Sequence, residues 1–416
     1  MTLTATAGYA QTRVGDLASA AGVSRATFYD QFKNKEDCFL AAHEELSTGL
    51  LGVTASAVRG KSPKQATRSI VGALTEFAAR RTHEFSFLTY EAMVAGPRAL
   101  DRRERLVAGL AEQLEQALGV EGGAAPLEVP AWILLGGLIR VLGMRARRDE
   151  PIARELPAEL SAWVASYGTP RTGARALRAA SMSSLLDVGQ HPSPSLIAPQ
   201  PLPRGRHRLP GAVVKRVQRE RILHATAQVI RTKGYPSTTV ADVVATAGVS
   251  REVFYSHFHN RSEAFMETHQ LVFENMMAAT AGAFFASGGP WPEQVWQSAR
   301  ASTRFVLEAP SFAYFAFVES YALGAGIARR TDDAVLAFTA LLTNGYSQRP
   351  EGAELPHSFS DAIVGAIMEA VAYHVRVDRS ESLPDLLPVL TFLILAPFLG
   401  ADGAHEFVED KLREVG

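Results

Sequence analysis

The sequence predicts an all-α protein built from two tandem units. Three observations carry this. Apolar residues recur at helical spacing through residues 46–167 and 266–416, with no alternating strand pattern. The 32-residue segment 8–39 returns without a gap at 234–265, 226 residues downstream. Between the copies, residues 168–212 hold seven prolines and few large apolar side chains, a composition that favours an extended linker. A repeat on this scale points to duplication of a whole protein, not to a short solenoid unit.

Composition narrows the classes. At 416 residues with 47% apolar and 20% charged side chains, the chain is globular and long enough for two to four domains of ~150 residues. The net charge of −1 gives no whole-molecule argument for nucleic acid or membrane, so any such case must be local. Cys38 is the lone cysteine. That excludes an internal disulfide and a cysteine-rich zinc site, and fits a reducing cytoplasm. The first residues lack the apolar core of a signal peptide. The run Leu386–Ala401 spans 16 residues and contains Pro388 and Pro397. It is shorter than the ~20 residues a membrane span needs and reads as a buried packing helix, so no membrane partner is expected.

Each copy of the repeat has the same internal order. In the second, Val240, Val243, Val244 and Ala247 form one helical face. Gly248 supplies a tight turn, Val249 can plug the core and Ser250 can cap a second helix. Phe254 and Phe258, four apart, anchor that helix, leaving a polar outer face. In the first copy Val14, Leu17, Ala18 and Ala21 form the face, Gly22 turns, Ser24 caps, and Phe28 and Phe32 anchor. Fifteen of the 32 positions are identical. A short helix, a glycine turn and a capped second helix make a helix-turn-helix, whose second helix can read base edges in a major groove.

The segments GVSRATFYDQFKNKEDCF and GVSREVFYSHFHNRSEAF resemble the DNA-binding signature of the TetR family of bacterial transcriptional regulators. The resemblance implies a three-helix DNA-binding domain followed by a helical domain that binds a small ligand and dimerises. It implies domains at 1–45, 46–167, 213–265 and 266–416, with 168–212 as linker. It assigns base reading to Arg25, Ala26, Thr27 and Asp30, and to Arg251, Glu252, Val253 and Ser256. Tyr29 and Tyr255 would touch phosphate, Gln31 and His257 the neighbouring backbone, and Lys35 and Arg261 phosphate, with Thr239 of the Thr-Val pair a further DNA-binding candidate. The two recognition helices differ, so they should not prefer the same bases. The implied function is a sequence-specific regulator, a repressor released from its double-stranded operator by a small apolar effector.

The first copy departs from this pattern at its start. Val217 to Lys233 supplies the second copy with a first helix, and only Met1 to Ala7 stand in the equivalent place. Either translation starts further upstream or the first head is degenerate. Residues 213–233 carry six basic side chains and one acid, with Arg204, Arg206 and Arg208 just before. They read as a solvated face or as a basic arm laid on phosphates.

The longer halves carry a dense aromatic stretch: Phe305, Phe312, Tyr314, Phe315, Phe317 and Tyr321, after Trp291 and Trp296. These side chains are core or pocket lining. Glu91 and Glu319, in matching positions amid apolar neighbours, are core carboxylates or polar handles for a ligand. With Phe315 and Tyr321 they are the candidate ligand residues. Apolar runs at Trp132–Leu142, Ala158–Val164, Ala362–Tyr373 and Leu386–Leu399 suit a dimer interface, formed within one chain as a pseudo-dimer or between chains as a homodimer. No phosphate-loop or His-Glu-x-x-His motif occurs. His43 and His405 read as exposed helix residues and Cys38 as a small core residue, so neither an enzyme nor a cofactor is expected. An architectural DNA-binding protein without ligand control would leave the two large apolar halves unexplained.

Overall fold

A computed structural model describes residues 1–118, 129–167, 198–202, 209–321, 324–348 and 355–415. Helices account for the fold, and no strand occurs among the described residues. In the first copy the helices are α1 (Thr2–Ala7), α2 (Val14–Ala20), α3 (Arg25–Gln31), α4 (Lys35–Val58), α5 (Pro63–Arg80), α6 (Thr82–Ser86), α7 (Ala92–Val94), α8 (Pro97–Ala117), α9 (Ala131–Arg147) and α10 (Leu156–Ala165). In the second they are α11 (Gly211–Lys233), α12 (Val240–Ala247), α13 (Arg251–His257), α14 (Arg261–Ala286), α15 (Trp291–Glu308), α16 (Pro310–Phe317), α17 (Ala325–Leu336), α18 (Ser358–Arg376) and α19 (Leu383–Val415). Most of the predicted linker, including 176–186 and the arginines at 204, 206 and 208, lies outside the described residues. Helix α11 begins at Gly211, inside its C-terminal edge.

Two compact units result, and their boundary is not that of the repeat. One comprises Met1–Arg178, Gly324–Ala370 and Pro388–Gly416; the other comprises Ala179–Leu323 and Val371–Leu387. The first unit therefore contains α9 and α10 of the first copy together with most of α18 and α19 of the second. In it, Tyr167 donates its hydroxyl to Leu393 O at 2.9 Å and Ser358 donates to Glu159 at 2.7 Å. Helix α19 is long and apolar enough to cross a membrane, yet 78% of its most apolar window is buried in the fold. Its helical path breaks at Gly400, with φ 79°.

The heads differ in how well they are closed. In the second, Ile222, Leu223 and Ala225 of α11 pack against Val243, Val244, Ala247, Phe254 and Phe258 in one buried cluster. In the first, α1 spans six residues where α11 spans 23. Ala18 and Phe28 are buried, but Leu17 and Phe32 are only half-buried where their counterparts Val243 and Phe258 are buried. Ala21 is exposed and Val23 is 39% exposed, against a buried Ala247 and a half-buried Val249.

Two histidines correct the sequence reading. His43 and His405, expected on exposed faces, are both buried. His43 lies between Leu88 O at 3.1 Å and Ser47 Oγ at 3.2 Å, and burial lowers its pKa to about 4. Cys38 is half-buried, and burial pushes its thiol pKa up.

Candidate nucleic-acid interface

Local chemistry sets the geometry of both helix-turn-helices. Gly22 and Gly248 turn the chain at φ 68° and 65°, a left-handed conformation that costs glycine little. Ser24 Oγ then accepts from Thr27 N at 3.0 Å, and Ser250 Oγ from Val253 N at 3.2 Å, each satisfying an orphan donor at the start of a recognition helix. Asn34 and Asn260 cap the next helices in the same way, accepting from Asp37 N and Glu263 N at 2.9 and 3.0 Å. Phe28 and Phe254 point inward. The opposite face is thereby fixed toward solvent.

That face holds most of the sequence-predicted base readers. Arg25, Ala26, Thr27, Asp30 and Gln31 are exposed on α3; Arg251, Glu252 and Ser256 are exposed on α13, with Val253 half-buried. Tyr29 and Tyr255 are each 55% exposed and stand edge-on to Phe28 and Phe254. A large aromatic ring is thus exposed at the same place in both copies. His257 is half-buried, and burial with the charges of Arg219 and Lys215 lowers its pKa.

The structure gives other predicted residues different partners. Lys35 and Arg261, expected on phosphate, turn into their own heads. Lys35 Nζ donates to Tyr9 O at 2.7 Å and lies 4.0 Å from the Tyr9 ring centroid. Arg261 donates to Tyr235 O at 3.2 Å and to Thr238 O, with its guanidinium 4.3 Å from the Tyr235 ring. Thr239 caps α12 and shares Asp242 with Lys233, which together lower the Asp242 pKa to about 2. The basic helix α11 is also partly engaged. Arg216 pairs with Glu220, Arg219 with Glu267 and Arg231 with Asp378. Arg221, one of the six basic side chains of 213–233, donates to Ala247 O at 2.8 Å and so pins the turn from behind. Lys215 is exposed.

The candidate ligand residues lie where each head meets its body. Glu91, in the π-helical turn Phe87–Glu91, accepts from Tyr9 N at 2.6 Å. Glu319 accepts from Tyr235 N at 3.1 Å. Above each carboxylate runs the same aromatic series. Tyr9 stands edge-on to Phe39, and Phe39 lies 4.3 Å from Phe87; Tyr235 stands edge-on to Phe265, and Phe265 lies 4.3 Å from Phe315. Burial raises the Glu91 pKa to about 7 against the opposing pull of the Tyr9 N–H and Arg147, and it raises Glu319 as well. Tyr321 and the other aromatic residues of the stretch are buried, with Tyr314 partly so. A cleft of about 720 Å³ lies between α5 and α10, lined among others by Thr67, Arg68, Ser161 and Val164. Another is lined by His224, Gln228, Glu308 and Phe312. Neither takes in Glu91, Phe315, Glu319 or Tyr321. No group of His, Cys, Asp and Glu side chains able to hold a metal ion occurs among the described residues.

Comparison with known families finds the same feature twice. Residues 1–42 and 222–267 each match the family described as bacterial regulatory proteins, tetR family. No curated protein matches the chain.

Proposed function

Because the chain belongs to the tetR family of bacterial regulatory proteins, in a tandem form with two units, we propose that it is a cytoplasmic repressor reading an asymmetric operator with two unlike heads. It is a DNA-binding transcriptional regulator; the repressor role and the ligand control are our reading. The observation that carries it is the difference between two outward faces of one geometry. Arg25, Ala26, Thr27 and Asp30 face solvent in one head, and Arg251, Glu252 and Ser256 in the other. Different donors and acceptors at the same helix positions select different base edges.

A small apolar ligand in the helical bodies would act through the joint. Glu91 and Glu319 tie the first turn of each head to the body, so a shift of the body moves the head. Ligand then favours a conformation whose heads are wrongly spaced, and operator affinity falls by the differential binding energy. In this reading Glu91, Phe315, Glu319 and Tyr321 transmit the shift. The cleft between α5 and α10 is of a size that takes a small molecule.

Selection of binding sites from random duplex DNA, at a stated salt concentration, tests the proposal. Two unlike half-sites about one helical turn apart, or a multiple of it, are expected. An enriched palindrome bound by two chains would overturn the asymmetric reading, and no enrichment would overturn DNA reading altogether.

A further inference from the structure

Helices α9 and α18 are the same element of the two copies. Each is followed by an aspartate in the left-handed region, Asp149 at φ 51° and Asp378 at φ 55°, the only non-glycine residues with positive φ among those described. This register makes Arg140 equivalent to Glu369, Gly136 to Gly365 and Gly137 to Ala366. The contacts obey it. A Cβ built on Gly137 would stand 2.9 Å from that of Ala366, so equivalent positions meet each other. Gly136 lies against Glu369, and Gly365 against Arg140, the same contact made once on each side of the crossing. The helices therefore cross on a local two-fold axis inside the first unit, as identical subunits do in an isologous interface.

The side chains flanking this axis are not identical. Glu369 takes a bidentate pair of bonds from Arg103, at 2.6 and 3.1 Å, and a contact from Arg140 at 3.4 Å. Arg103 and Arg140 are buried, and the Glu369 side chain is only 12% exposed. Helices α8 and α17 each start after a glycine of positive φ, Gly96 and Gly324. That register makes Thr331, buried and bonded to Ile327 O, the counterpart of Arg103. At these positions the first copy brings two guanidinium groups, and the second a carboxylate and a hydroxyl. First with second places one carboxylate between two guanidiniums. First with first would bury four guanidiniums about the axis, and second with second two carboxylates. Buried like charges without a counter-ion are strongly disfavoured, so the mismatched pairings are penalised as well as the matched one favoured.

We propose that Arg103, Arg140 and Glu369 make the first copy pair with the second and not with itself, so that each chain closes on its own two halves. The proposal deepens the two-headed reading, since unlike pairing is what delivers unlike heads together. Its test needs no DNA.

Full-length wild-type chain is expected to sediment at the one-chain mass of 44.9 kDa. Arg140→Glu and Glu369→Arg, each alone, lower the denaturant midpoint. Glu369→Arg lowers it more, because it sets three guanidiniums together where one carboxylate stood between two. The double variant Arg140→Glu/Glu369→Arg restores both midpoint and one-chain mass, which controls for simple failure of the single variants to fold. Equimolar mixing of the two single variants gives a species of twice the mass, because the new carboxylate at position 140 of one chain meets the new guanidinium at position 369 of the other, while the unaltered Arg140 of the second chain meets the unaltered Glu369 of the first. A wild-type chain at twice the mass, single variants with the wild-type midpoint, or a mixture that stays at one-chain mass would each overturn the proposal. A chain that passes these tests and binds no DNA would overturn the function and leave the pairing standing.

Discussion

The backbone N–H of Tyr235 donates to the half-buried carboxylate of Glu319, 84 residues away, at 3.1 Å. The bond joins the loop after the first head helix to the short 3-10 turn that begins at Glu319. Glu319→Ala would leave the Tyr235 N–H without this acceptor, at a cost of ~1–3 kcal/mol. Glu319→Gln keeps an acceptor oxygen and should recover most of the loss. Denaturant midpoints of the full chain measure both. Operator affinity should fall in Glu319→Ala even where the protein is folded, since the head is no longer held in register. Equal affinity in wild type and Glu319→Ala would mean that the joint carries nothing to the DNA.

The equivalent carboxylate titrates in the physiological range. Burial lifts Glu91 from an ordinary 4.5 to about 7, so folding favours its protonated form. Its contribution to stability is complete below pH 4.5 and is lost as pH rises through 7. Glu91→Gln removes that loss, so the variant should gain on wild type by ~2–3 kcal/mol at pH 8 and by little at pH 4.5. His43 acts in the opposite sense. Its pKa falls from 6.5 to about 4, so its contribution is complete above pH 6.5 and is lost as pH falls through 4. His43→Gln should therefore flatten the acid limb of the stability profile. Urea titrations at pH 4, 5, 6.5 and 8 check both signs.

Much of the site was legible because its determinants are local. Gly248, Ser250 and Phe254 lie within seven residues, and the turn, the cap and the anchor need no distant partner. The same holds for Gly22, Ser24 and Phe28. What sequence does not reveal is the direction of long or buried polar side chains in the free protein. Arg261 could reach outward to phosphate or inward to carbonyls, and the Tyr235 ring and the carbonyls of Tyr235 and Thr238 take it inward. Glu91 and Glu319 stood out as carboxylates among apolar neighbours, but each partner is a backbone N–H 82 or 84 residues away. Every non-proline residue offers such a donor, so no residue type marks it in the sequence.

The unequal closure of the heads gives a stability contrast. Phe258 is buried in a complete cluster, whereas its counterpart Phe32 is half-buried. Phe258→Ala should cost ~3–5 kcal/mol, the usual range for a large core side chain. Phe32→Ala should cost less than half of that, because part of the ring already contacts water. Backbone amide exchange should show the same order, with α12 and α13 more protected than α2 and α3. Equal protection in the two heads would mean that the first is closed as firmly as the second.

At the DNA, three substitutions in the second head should separate reading from positioning. Arg251 is exposed at the start of α13, where its guanidinium can reach a base edge. Arg251→Ala should weaken binding by ~1–3 kcal/mol and relax preference at one half-site only. Tyr255 is exposed and leaves the core intact when altered, so Tyr255→Phe should weaken binding to every sequence without moving the denaturant midpoint. Arg261→Ala should also weaken binding to every sequence, but with a lower midpoint, because it removes the donors to Tyr235 O and Thr238 O. The salt slope of binding divides the last two further. A lost phosphate contact reduces it by about one, whereas a loosened head that keeps its phosphate contacts leaves it unchanged. If Arg261→Ala lowers the slope and leaves the midpoint alone, Arg261 leaves its carbonyls for phosphate on the operator. Its inward pose then belongs to the free protein.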